Sequence, residues 1–154
     1  MRTAMSRAPS AALTMLVTLA LAGMLLAPAA LAGEYRERSK VQRRTNVTRV
    51  NHDVRRVDLN DRISDLVRRH SMKMAERGKL FHTVDPARTY LDGIAWSRWG
   101  ENVGYTDGTV ADMHQAFMVS PLHRANILDG RYRRVAIGAV RVDGTLWVTV
   151  FFWG

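Results

Sequence analysis

The chain has no cysteine anywhere in its 154 residues. That absence excludes disulfide staples, thiol redox chemistry and a cysteine nucleophile. The compact motifs of two hydrolase classes are missing too: there is no His-Glu-x-x-His and no Gly-x-Ser-x-Gly. Acidic residues are scarce, 14 against 23 lysines and arginines, which leaves a formal charge of +9. Such an excess favours anionic partners such as wall polymer or lipid headgroups. No recognisable nucleic-acid-binding motif accompanies it, so nucleic acid is not an expected partner.

Long apolar runs are confined to one place. Met1 to Ser10 carries Arg2 and Arg7 with no acid, Ala11 to Ala27 is almost unbroken apolar sequence, and Ala30-Leu31-Ala32 is a small-x-small cleavage pattern. Residues 1–32 therefore read as a secretory signal peptide cleaved near Ala32, which puts the working part outside the cytoplasm. As a retained anchor the run falls short of the ~20 residues a span needs. Roughly 120 residues remain, enough to hold a domain together by its core without disulfides. Residues 33–44 hold Arg36, Arg38, Lys40, Arg43 and Arg44 with few apolar positions, and read as a basic linker able to associate with the envelope.

The folded domain is expected over 45–154. Val47, Val50 and Val54 recur at spacings of three and four, as on one face of a short helix. Leu59, Ile63, Leu66, Val67, His70 and Met74 form the clearest helical stripe, with Asn60 as N-cap and Gly78 as its stop. His70 on that stripe reads as a core histidine bonded to backbone. Asp85-Pro86 starts a short helical turn that Gly93 breaks. Ile94-Ala-Trp96 reads as a short strand ending in a turn between Gly100 and Gly104. Thr109 caps a helix through Val110, Met113 and Phe117. Ser120-Pro121 should end that helix and pass to a turn that aims His123. Val135 to Val142 and Leu146 to Phe152, joined by Asp143-Gly144-Thr145, carry a strong hairpin signal. Helices on both faces of a small antiparallel sheet bury all these apolar faces, an α+β fold built as a three-layer α-β-α sandwich.

Four blocks recur in a familiar order: His70-Ser-Met-Lys-Met-Ala-Glu-Arg-Gly78, Leu80-Phe-His-Thr83, Gly100-Glu-Asn-Val103 and Ser120-Pro-Leu-His-Arg-Ala-Asn-Ile-Leu128, followed by the closing hairpin. In these blocks the chain resembles the CAP superfamily, also called the SCP or PR-1-like domain, in its short bacterial form, over Thr45 to Trp153. The resemblance implies a sandwich with a cleft where two histidines and acidic residues gather. The matching positions are His82, Glu101 and His123, with Ser120 and Asn102 beside them as candidate ligand-binding residues. Many relatives add a glutamate three residues after a tryptophan. Phe117 and Ser120 stand at those positions here, so the fourth acidic group is missing.

Two imidazoles and a carboxylate are the ligand set of a His2Glu site for zinc or another divalent cation with one open position. They also suit an acid–base pair, and they suit a cross-brace in which Arg124 and Asn126 help tie loops together. The leading expectation is a secreted module that binds a lipid, wall polymer, protein ligand or divalent metal in this cleft, with no catalytic residue assigned. A metal-dependent peptidase or esterase using the same groups, and an envelope-associated scaffold, are the alternatives.

Overall fold

The computed structural model describes residues 32–154, so the signal-peptide reading lies, but for its last residue, outside the described residues. The folded unit is Glu34–Gly154. Helix α1 covers 32–50. It is followed by β1 (Asp58–Leu59), α2 (Asp61–Arg77), α3 (Pro86–Tyr90), β2 (Trp99–Thr106), α4 (Val110–Val119), α5 (Pro121–Leu128), β3 (Arg134–Val142) and β4 (Thr145–Trp153). No described helix is long and apolar enough to cross a membrane.

One four-stranded sheet, ordered β1-β3-β4-β2, forms the middle layer. β3, β4 and β2 pair antiparallel, whereas the two-residue β1 pairs parallel with β3, so the expected antiparallel sheet is mixed at one edge. Asp143 and Gly144 both take positive φ, 48° and 85°, in the two-residue hairpin loop. A right-twisted hairpin favours that geometry, and Asp-Gly supplies it at little steric cost.

β4 lies between neighbours on both sides and is buried on both faces. Leu146, Val148, Val150 and Phe152 point to a core built with Val41, Val110, Met113, Phe117 and Ile127, from α1, α4 and α5. Phe151 and Trp153 point the other way, packing with Ile63, Val67, Tyr90 and Leu91. Trp147 does the same with Met74 and Val103. The period-2 alternation of a strand thus divides one apolar run between two cores.

Helix ends follow local chemistry. The Asn60 side chain accepts from the Ile63 N–H, and Gly78 closes α2 in the left-handed region at φ 57°. Thr109 and Asp112 form a reciprocal capping box on α4.

Four expectations need correction. The segment read as a linker, 33–44, is helical and packed: Val41 is buried, and Arg38 is buried against Asp65 at 3.3 Å. Its cations hid an inward face at Arg38, Val41, Thr45 and Arg49. Val47 and Val50 are exposed, because Arg49 takes the buried side of α1. Its guanidinium donates to the carbonyls of Arg55 (2.7 Å), Ile127 (2.7 Å), Asp129 (3.1 Å) and Tyr132 (3.3 Å). Ile94–Trp96 is not a strand; the strand begins at Trp99 and runs through both glycines. A Cβ on Gly100 would stand 2.5 Å from the Tyr132 hydroxyl, and one on Gly104 would stand 2.7 Å from Met113 Sδ. These glycines admit neighbouring side chains rather than making a turn. Finally, Pro121 opens α5 at its first position instead of handing the chain to a turn, a place where its missing N–H costs nothing.

Candidate functional site

β2 is the outer strand of the sheet, and its alternation presents Trp99, Glu101, Val103 and Tyr105 on the α2 side. Asn102 points to the opposite face. The Glu101 side chain is 2% exposed. Its Oε1 accepts from the Thr83 backbone N–H at 2.9 Å and lies 2.8 Å from His82 Nδ1. Because Oε1 is an acceptor, Nδ1 is the donor in that pair, and in the neutral form of the ring Nε2 keeps its lone pair. The His82 side chain is 61% exposed. Thr83 is held in turn by its hydroxyl, 2.7 Å from the Tyr90 hydroxyl. Burial, followed by the charge of Glu101, pushes the Tyr90 phenol above its usual range, while the bond to Thr83 opposes the shift. Tyr90 stays protonated.

His123, on α5, reaches the same edge from the other layer. Asn102 Nδ2 donates to the His123 carbonyl at 3.0 Å, and Asn126 Nδ2 donates to Asn102 Oδ1 at 2.8 Å and to the Glu101 carbonyl at 3.3 Å. The imidazole packs edge-on to Phe117 with centroids 5.0 Å apart. Burial lowers the pKa of His123, and the nearby His82 lowers it further. His123 is therefore neutral at pH 7, a donor and acceptor rather than a cation.

A third histidine belongs to this neighbourhood. His70 Nδ1 lies 3.1 Å from the Thr149 hydroxyl, which also accepts from Ser71 Oγ at 2.9 Å. It is bonded to a side chain of β4 and not to backbone, as its sequence position suggested. Its ring meets Phe81 edge-on at 5.0 Å. Burial lowers its pKa, opposed by the charge of Glu101 and reinforced by His82. Among the described residues, two buried polar side-chain atoms have no partner, His70 Nε2 and Glu101 Oε2, and both lie here.

Of the five residues read from the sequence, His82 and Glu101 are directly paired, and His123 stands close enough to feel His82. Asn102 is a fully buried brace between β2 and α5. The Ser120 side chain makes no cap hydrogen bond; the residue acts as the extended joint between α4 and α5. Trp99 stacks on Phe151 and Tyr105 on Trp147, flanking Glu101 along the strand. Trp96 lines a separate hollow beside α3 that contains none of the three. Sequence reasoning missed Thr83 and Tyr90 as supports. Thr83 was adjacent to His82 and could have been suspected; Tyr90 carried no signal.

Metal binding can be judged from the donor set. Among the described residues, no three His, Asp or Glu side chains gather closely enough to hold an ion. Glu101 commits Oε1 to His82 and Thr83, orienting the imidazole in the manner of an outer-shell carboxylate, while its Oε2 keeps no partner.

A sheet packed between helical layers in this way is the architecture of the SCP-type class of domain. The chain belongs to the CAP, or cysteine-rich secretory protein, family, whose profile matches residues 42–152. Its own lack of cysteine shows that the fold does not require the feature in that family description. Similar proteins include the uncharacterised protein YkwD of Bacillus subtilis, 26% identical over 117 residues that make up 73% of this chain and 45% of YkwD. Among solved structures, an extracellular SCP-domain protein of Bacillus anthracis superposes with a TM-score of 0.67 at 20% identity, over 78% of this chain and 41% of that one. An outer surface protein of Borrelia burgdorferi gives 0.68 at 12% identity, over 77% and 92%. At these identities the structures share the fold. This chain spans less than half the length of YkwD and of the Bacillus anthracis protein.

Proposed function

We propose that this protein is an extracellular ligand-binding module that uses the outer edge of β2, with His82 and His123 as the polar contacts and Trp99 and Tyr105 as flanking apolar surface. The observation that carries this reading is the locked His82. A nearly fully buried carboxylate fixes which ring nitrogen donates to it, while the ring itself remains largely exposed, so the imidazole is offered to a ligand with its orientation already set. His123, neutral at pH 7, supplies a second contact without adding charge. Among the described residues, no side-chain hydroxyl or carboxylate other than Glu101 hydrogen-bonds His82, which favours recognition over nucleophilic catalysis. The extracellular setting rests on the signal-peptide pattern at 1–32 and on the extracellular and outer-surface character of the similar structures.

The test follows ring resonances of His82 and His123 by NMR while zinc, soluble muropeptide fragments and a fluorescent fatty acid are added in turn to the full chain. One of these probes should shift both rings together, and His82→Ala should abolish the shift. The same variant should be compared with wild type on peptide and ester libraries with zinc present. Turnover that requires zinc and vanishes with His82→Ala would replace the binding module by a hydrolase.

A further inference from the structure

The exposed face of α1 carries Lys40, Arg43, Arg44 and Val47 at helical spacings of three and four, while Val41, Thr45 and Arg49 on its other side are buried. Facing them across a cavity of about 600 Å³ are Thr109, Val110, Ala111 and His114 from the start of α4, with Arg141 of β3 at one end. None of these residues belongs to the His82 site. The lining holds four cations and one carboxylate, that of Glu37. Glu37 is itself 3.5 Å from Lys40 and 3.9 Å from Arg141. Among the described residues, Arg43 and Arg44 have no ion-pair partner. Asp112 is nearby, but its carboxylate is turned onto the Thr109 N–H and hydroxyl, both at 2.7 Å. His114 is tied to the Thr48 hydroxyl at 2.7 Å. Arg141 is pinned to the Gly108 carbonyl at 3.1 Å.

We infer that this groove is a binding site for the phosphodiester groups of a soluble anionic polymer. Three properties point that way. The cations stand on a folded helix and a strand, so little ordering entropy is lost when an anion binds. Arginine forks match phosphate oxygens in a two-point geometry that a hydrated ammonium cannot reproduce. The cavity is several times larger than one phosphate, and Val47, Val110 and Ala111 give it an apolar wall for the carbon atoms of a repeating unit. Its concavity decides between two sources of the same chemistry: a flat bilayer surface meets convex cationic faces, whereas a groove between two helices admits a chain.

Calorimetric titration of the full chain with oligo(glycerol phosphate) tests this, with phosphatidylglycerol vesicles as the second arm. The oligomer should bind, more weakly as salt rises. The double substitution Arg43→Gln/Arg44→Gln should weaken it at least about tenfold, the loss of one charge-assisted contact or more. Arg62→Gln/Arg69→Gln, which removes the same charge from the exposed side of α2, should leave affinity unchanged. Both pairs are exposed, so the fold survives either change. Equal weakening by the two double variants would reduce the effect to net charge and overturn the proposal. Capture by vesicles with no binding of the oligomer would also overturn it, as would no binding of either.

Discussion

Glu101 and Arg49 are both charged, both buried, and engaged in opposite ways. Glu101 concentrates two donors on one oxygen and thereby sets the orientation of His82. Replacing it with alanine removes that acceptor and leaves the Thr83 N–H unpaired, which should cost about 2 kcal/mol of stability. His82 should then lose its preference for carrying the proton on Nδ1. Ring ¹⁵N shifts report the second effect and thermal unfolding the first; an unchanged tautomer in the folded variant would show that the carboxylate does not control the imidazole. Arg49 spreads its donors over four carbonyls from three stretches of chain. Burial lowers its pKa, against the pull of Asp129, yet it remains charged far above neutral pH. An Arg49→Met variant keeps much of the volume and leaves the Arg55 and Ile127 carbonyls without their side-chain donor, whereas those of Asp129 and Tyr132 still accept from the Tyr132 N–H and from Arg133. Denaturant titration should find it less stable by about 3 kcal/mol.

Among elements, α2 comes closest to β3 where it passes over Gly138. A Cβ there would lie 2.6 Å from the Val67 carbonyl oxygen and 2.7 Å from Arg68 Cα and N, all backbone atoms that cannot rotate away. Gly138→Ala should therefore push α2 off the sheet and destabilise by roughly 2 kcal/mol or more. Gly130→Ala, where a Cβ meets nothing within 4 Å, should be close to neutral in the same thermal melt. Displacing α2 would also move His70 away from Thr149. The capped ends of α2 and α4 and the Asp143-Gly144 hairpin were legible in the sequence, since a cap or tight turn is decided by a few neighbouring residues. The inward face of α1 was not. It consists of Arg38, Thr45, Asn46 and Arg49 around Val41, and a polar inward face has no periodicity that hydropathy detects. Only the partners of those side chains, distant in sequence, reveal that it is buried.

The molecule as a whole should be acid-sensitive in a window set by its histidines. His70, His114 and His123 all have pKa values lowered from 6.5, chiefly by burial. Each binds a proton more readily in the unfolded chain. Stability is therefore complete above pH 6.5 and falls as pH drops from there through the lowered folded values, with a slope of up to about 1.4 kcal/mol per pH unit for each proton taken up. Calorimetry from about pH 7.5 down to about pH 5 should show the melting temperature declining, and His70→Gln should flatten the decline. Asp129, held near a pKa of about 2 by Arg131, acts only at far lower pH and does not enter this window. The layers of the sandwich were readable from strand alternation and helical stripes, while His82, Glu101 and His123 were singled out by the four sequence blocks that resemble the CAP family. Local order along the chain suffices for such features because capping, turn geometry and amphipathic spacing involve residues a few positions apart. The pairing of His82 with Glu101, the assignment of Asn102 as a brace, the nearness of His70 and the cation-lined groove were decided by folding. Each joins side chains from separate elements across the edge of one sheet or between two helices, and no spacing in a linear chain encodes which of two faces a side chain will meet.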